Sequence, residues 1–242
     1  MFKGSNVALI TPFKNNSLDE EAYIKLIHFH MDNGTSGLVP AGTTGESPTL
    51  NHDEHQRVID LCINESNGKI PVIAGTGSNS TEEAISLTSH AEKAGANGAL
   101  IVTPYYNKPS QEGIYHHYSE IAKASPLPII VYNVPSRTGS VVEVSTFIRL
   151  TQDFENIIAI KEASGSMLHA QEIIKQAGSH IQVISGDDAL TLPMLLAGAV
   201  GTISVLGNAM PIPLTRIFDY VRKGDLNKAY QLHYQLLDLI QL

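Results

Sequence analysis

"NSTEEAISLTSHAEKAGANGALIVT", residues 79–103, reads as one helix running into one strand. Ser80 is placed to cap the helix, Glu83 three residues on completes a capping-box pattern, and Gly95 ends it. "GALIVT" (98–103) then runs apolar without alternation, as a parallel strand covered on both faces does. The unit recurs. Further apolar runs stand at "NVALI" (6–10), "GLVP" (37–40), "IPVIAG" (70–75), "LPIIVYN" (127–133), "NIIAIK" (156–161), "IQVIS" (181–185) and "GTISV" (201–205). Helical patterns separate them, and "SLDEEAYIKLIHFHMDNG" (17–34) repeats the plan with Ser17 and Glu20 as the box and Gly34 as the stop.

Eight such units in 242 residues, with no Pro/Ser-rich linker between them, predict an α/β fold of the (β/α)8 TIM-barrel type over residues 1–224. Residues 225–242 begin a C-terminal helical region. In it, "LNKAYQLHYQLLDLIQL" leaves Leu232, Leu236, Leu237, Leu239 and Ile240 wanting a partner, either another subunit or further chain.

A chain that is 43% apolar and 17% charged suits a soluble globular protein with a sizeable core. No apolar run approaches the ~20 residues of a membrane helix, and the N-terminal run is too short for a signal sequence. A cytoplasmic location is the expectation. The single cysteine, Cys62, forms no intramolecular disulfide and reads as a small core residue. The net charge of −8, without a basic cluster, argues against nucleic acid as a partner. Anionic small molecules remain compatible, because a few local cations dominate a pocket.

In a barrel, chemistry gathers at the C-terminal strand ends and the loops after them. Those segments are "AGTTGES" (41–47), "TPYYNKPS" (103–110), "VYNVPSRTG" (131–139), Lys161 and "SGDD" (185–188). Alternation puts Ile157, Ala159 and Lys161 on one face of their strand, and Ile130 and Tyr132 on one face of the preceding strand. If both faces point inward, Tyr132 meets Lys161. A lysine ending an apolar strand is ordinarily a solvated charge. Beside a phenol, the Thr43 and Thr44 hydroxyls and a Gly-flanked loop, it fits imine formation with a carbonyl substrate.

Other motifs have plainer readings. "GTGSNS" (75–80) lacks the third glycine of a dinucleotide loop. His52 and His55 stand one helical turn apart without a clear third metal ligand; a helix start capped by Asn51 and Glu54 explains them better. Asp187 and Asp188 are either a carboxylate pair or, for at least one of them, a helix cap.

The motifs "GTTGES", "TPYYNKPSQEG", "YNVPSRTG", "IKEASG" and "SGDD", in order and spacing, resemble the dihydrodipicolinate synthase (4-hydroxy-tetrahydrodipicolinate synthase) family of the N-acetylneuraminate lyase superfamily. The resemblance runs from about Val7 to the end of the chain and implies an enzyme of lysine (diaminopimelate) biosynthesis, joining pyruvate to L-aspartate 4-semialdehyde. It implies Lys161 as the Schiff-base residue and Tyr132 as proton donor and acceptor, linked through Thr43 to a Tyr106 from the neighbouring subunit. Thr44 would hold the pyruvate carboxylate, Arg137 the carboxylate of the semialdehyde, and Gly186 and Ile203 would lie beside the lysine. Ser47, Leu50, His52, His55, Asn79, Glu83 and Tyr105 match a feedback site for lysine, with Pro48 where a small residue is common. The resemblance implies a homodimer or homotetramer (a dimer of dimers) and no metal or organic cofactor. Family members continue roughly fifty residues past Leu242, so the C-terminal region is expected to be truncated. The alternatives are a related class I pyruvate lyase or aldolase with another aldehyde, a metal-dependent aldolase built on His52 and His55, and a catalytically silent fragment.

Overall fold

The computed structural model of the chain describes residues 1–178 and 181–241. Eight parallel strands form its centre: β1 (Gly4–Ala8), β2 (Gly37–Val39), β3 (Ile73–Gly75), β4 (Gly98–Val102), β5 (Ile129–Asn133), β6 (Ile157–Glu162), β7 (Gln182–Ser185) and β8 (Gly201–Ser204). They pair in the order β2-β1-β8-β7-β6-β5-β4-β3. A parallel bridge between Leu38 and Val72 brings the two ends of this sheet together into a barrel. Helices α1 (Glu20–Asp32), α2 (His52–Ser66), α3 (Thr81–Ala94), α4 (Gln111–Ala124), α5 (Val144–Asp153), α6 (Met167–Ala177), α7 (Thr191–Ala197) and α8 (Pro211–Arg222) follow the strands in turn, and α9 (Leu226–Ile240) comes last. This is a (β/α)8 TIM barrel.

Two layers of core explain the continuous apolar runs. Ala8, Val39, Ile73, Leu100, Ile130, Ala159, Ile184 and Ile203 fill the barrel, with Phe2 among them. Val7, Leu38, Val72, Ile101, Val131, Ile160 and Val183 point outward against the helices. The strands are therefore apolar on both faces, except β8, which turns Thr202 and Ser204 outward, and each fully buried Ile or Val contributes roughly 1.5–3 kcal/mol.

Four sequence expectations need correction. Ser17 is not the cap of α1; it belongs to a two-residue strand, Ser17–Leu18, paired with Phe13–Lys14, and Asp19 caps the helix by accepting from the Ala22 amide. The turn of that hairpin is Asn15-Asn16, both at positive φ, as such turns require. Ser80 does cap α3, but the Glu83 carboxylate turns to Ser78 and His52 instead of completing the box. On β6 the register slips by one residue next to Ile157. Ile157 consequently lies in the outer layer, while Ile158 leans on the inner one and Ala159 lies within it. Finally, α9 finds a partner inside the chain: Leu236 is buried against Leu192, Leu214 and Ile217, with Leu232 and Ile240 alongside. Leu226, Tyr230, Tyr234 and Leu239 are the large apolar side chains it leaves exposed. Among the described residues, no helix is long and apolar enough to cross a membrane.

Candidate active site

Beyond the slip in β6, strict alternation resumes, and Lys161 is the register partner of Tyr132 on β5. The lysine Nζ lies 4.2 Å from the centroid of the tyrosine ring. Lys161 is only 5% exposed, an unusual place for an ammonium. Burial pulls its pKa down to about 8; the Asp188 carboxylate works against that fall and the Arg137 guanidinium adds to it. Gly186, just past β7, is where it is because the lysine occupies the space a side chain would need. A Cβ there would sit 2.9 Å from Lys161 Cε and 2.7 Å from Ala163 Cβ. Ile203, fully buried on β8, completes the apolar surroundings.

Burial also raises the Tyr132 pKa, with Thr43 and the charge of Arg137 partly offsetting it. The phenol is therefore protonated at neutral pH, able to give a proton and take it back. Tyr132, Thr43 and Arg137 line one cavity of about 250 Å³, together with Val134, Thr138 and Gly42. Lys161 does not itself form that wall; it lies against the ring that does. Thr44, half-buried, stands just outside it. Arg137 is exposed and, among the described residues, paired with no carboxylate, whereas Arg57, Arg149 and Arg222 are.

Backbone strain collects at this rim. Ala41 and Glu46, at either end of the Gly-rich loop, and Tyr106 and Lys108, after β4, all have positive φ. Such strain gathers at functional sites. Tyr106 sits in a three-residue turn closed by the Asn107 amide on the Tyr105 carbonyl at 2.8 Å, and its side chain is 89% exposed. Within one chain the series Tyr132–Thr43–Tyr106 is thus not assembled.

A second cavity, about 140 Å³, is lined by Ser47, Pro48, Leu50, His52, His55, Glu83 and Tyr105, as well as Gly77 and Leu87. Asn79 is not in its wall; its carbonyl accepts from the Asn107 side chain at 3.3 Å. His55 is buried, and burial pushes its pKa down to about 4, so it is neutral. Neither of its ring nitrogens has a partner among the described residues. Glu83 accepts from the Ser78 hydroxyl, contacts His52 at 3.0 Å, and is held below the usual carboxylate range by the bond from Ser78. The two cavities share Ser47, Pro48, Gly77 and Tyr105. Among the described residues, no three His, Cys, Asp or Glu side chains gather where they could hold a metal ion.

Two arrangements escaped sequence reading. Asp187 is the expected cap, accepting from the Ala189 amide at 2.9 Å. Asp188 does something else: it accepts from the Ser204 hydroxyl and from the Val205 and Leu206 amides, joining β7 to the end of β8 with its charge felt at Lys161. Glu162, the neighbour of Lys161, forms a buried pair with His169 on α6. Charge spacing along the sequence announces neither.

A barrel with a buried, partly neutral lysine beside a phenol at its catalytic rim defines a class I aldolase-like lyase. The chain belongs to the Dihydrodipicolinate synthetase family, whose profile matches residues 1–242. It is 51% identical over 239 residues to the 4-hydroxy-tetrahydrodipicolinate synthase of Pelobacter propionicus, covering 99% of this chain and 82% of the relative. It is 61% identical over 211 residues to that of Pelagibacter ubique, covering 87% of this chain and 72% of the relative. Among solved structures, dihydrodipicolinate synthase from Aquifex aeolicus superposes with a TM-score of 0.98 at 49% identity, covering 99% of this chain and 82% of that one. The chloride-inhibited enzyme from Acinetobacter baumannii, complexed with pyruvate, gives 0.96 at 42% identity, covering 100% and 83%. The enzyme from Cyanidioschyzon merolae, with lysine bound, gives 0.96 at 40% identity, covering 99% and 82%.

Proposed function

We propose that the protein condenses pyruvate with L-aspartate 4-semialdehyde to 4-hydroxy-tetrahydrodipicolinate, in the cytoplasm, in lysine biosynthesis through diaminopimelate. The observation that carries this reading is the buried Lys161 amine in register with Tyr132, at the edge of a cavity that also presents the unpaired Arg137. The relatives' names and the pyruvate complex of one of them support it. The neutral Lys161 amine adds to the keto carbon of pyruvate, and loss of water gives an iminium. Loss of a proton from the adjacent methyl group gives an enamine, whose carbon attacks the aldehyde. Tyr132 gives and takes protons in these steps through Thr43, with Tyr106 supplied by a neighbouring copy in a homodimer or a dimer of dimers. Thr44 holds the pyruvate carboxylate, and Arg137 the carboxylate of the semialdehyde.

Arg137 decides the second substrate. Its planar fork suits a carboxylate bidentately. Arg137→Ala is expected to raise the KM for the semialdehyde by roughly 10- to 100-fold, the scale of a charged hydrogen bond. Borohydride trapping of pyruvate on Lys161 should be unchanged in that variant. A sugar-derived aldehyde proving the better partner of the unaltered protein would sink the synthase reading in favour of a related pyruvate aldolase.

The second cavity is read as a site for free lysine acting as inhibitor. The Glu83 carboxylate meets an ammonium group, and the neutral His55 ring forms part of the wall beside it. The shared wall gives an occupant a direct route to the reaction cavity. Glu83→Ala and His55→Ala should each weaken lysine inhibition by about tenfold or more with turnover retained, by loss of a buried polar partner. An unaltered inhibition curve in both variants places the lysine site elsewhere.

A further inference from the structure

The Glu162–His169 pair takes part in no step above, yet it is built with care. Glu162 is 2% exposed and points away from the barrel interior, opposite Lys161. One of its oxygens accepts from the Ser164 amide at 2.6 Å; the other accepts from Asn133 Nδ2 at 2.8 Å and lies 2.9 Å from His169 Nδ1. His169 Nε2 lies 3.1 Å from the Val142 carbonyl. The circle closes on Val142, whose amide donates to Asn133 Oδ1 at 3.1 Å. The backbone N–H and C=O of one residue are thus both gripped, the first by the end of β5 and the second by α6. The segment so anchored, from the end of β5 to Val142, carries Arg137.

The chemistry of the two partners fixes the state of the ring. A carbonyl oxygen only accepts, and a carboxylate already receiving two N–H donors is an acceptor too. Only the imidazolium, with a proton on each nitrogen, makes both contacts as hydrogen bonds. We propose that His169 is a positioning residue for the aldehyde substrate: as an imidazolium donating from both ring nitrogens, it fastens Val142 to Glu162 and so holds the turn that presents Arg137. This rests on the reading of Arg137 as the carboxylate-binding group.

Charge supports the geometry. The bond to Glu162 lifts the His169 pKa above the ordinary histidine value. Burial works against the Glu162 carboxylate, but its bonds from His169, Ser164 and Asn133 outweigh that and hold it low. The other charge felt at His169 is Glu172, from the same helix. Of the elements packed against α6, α7 and β7 contain no titratable side chain. On α5, Arg149 bonds Glu112 and lies over the Tyr115 ring, and Asp153 accepts from the Tyr115 hydroxyl. Glu143, beside Val142, is exposed. The sign follows. The clasp is complete at low pH and loses one of its two bonds as pH rises through the raised His169 pKa.

The test joins a spectroscopic and a kinetic arm on the full chain. Nitrogen NMR of the imidazole should show both His169 nitrogens protonated at pH 7. His169→Gln, neutral, should raise the semialdehyde KM by about tenfold, as loss of a charged hydrogen bond does, with kcat within about twofold. Pyruvate trapping at Lys161 should be as in the unaltered protein. His169→Arg, a permanent cation with several donors, should restore much of that KM and keep it level where the unaltered protein's KM climbs with pH. A neutral imidazole at pH 7 overturns the proposal on the unaltered protein alone. An unchanged KM in His169→Gln, with a raised KM in Arg137→Ala, overturns it and leaves the role of Arg137 standing. An unchanged KM in Arg137→Ala overturns both.

Discussion

Lys161→Ala is expected to abolish turnover, by roughly 10⁴-fold or more, the scale of deleting a covalent nucleophile. The same substitution should end the mass increase that borohydride and pyruvate leave on the unaltered protein. An amine attacks a carbonyl only when neutral, and burial is what makes this one neutral. With a pKa of about 8, about a tenth of it is unprotonated at pH 7, a few hundredfold more than for an ordinary lysine. The rate of trapping should therefore climb with pH and level off above about 8. A trapping rate still climbing steeply at pH 10 would mean that the lysine is solvated in solution. A pyruvate adduct on another residue of the folded protein would remove Lys161 from the mechanism.

The barrel was legible because its strands are covered on both faces, which gives continuous apolar runs that no single-faced sheet would show. The juxtaposition of Lys161 and Tyr132 was legible from alternation alone, since it depends only on the last residues of two neighbouring strands. The same alternation misplaced Ile157, because a register slip is a matter of backbone pairing and leaves no mark in an all-apolar stretch. Asn15-Asn16 is a turn signal, and Asp19 was as good a cap as Ser17. The second cavity followed from the resemblance rather than from periodicity, and the structure keeps Asn79 out of its wall. The Glu162–His169 clasp joins a strand end to the first turn of the next helix and closes on a carbonyl. Backbone acceptors carry no sequence signature, so a residue that works through one is invisible until the chain is folded.

Tyr132→Phe should lower turnover by roughly 10²- to 10⁴-fold, the range of general acid–base catalysis. The ring against Lys161 remains, so the apolar contact that helps keep the amine buried persists and only the hydroxyl is lost. Pyruvate trapping should survive more nearly intact than turnover, because borohydride captures the iminium before the later proton transfers are needed. If trapping and turnover fall together, the phenol serves imine formation first and the relay second. The route onward from the phenol is the more demanding part. Thr43 lies in the wall of the same cavity, but this chain's Tyr106 projects outward on a strained turn. A relay through Tyr106 therefore requires a second copy. Tyr106→Phe should cost about tenfold or more, as loss of a proton-relay hydroxyl does. Mixing that variant with Lys161→Ala then decides the matter. In a mixed dimer, one site has its own Lys161 and receives an unaltered Tyr106 from the other chain, so activity should reappear as subunits exchange. Demonstrated exchange without recovered activity would confine Tyr106 to its own subunit, and the relay from Tyr132 would have to end at Thr43 or in solvent.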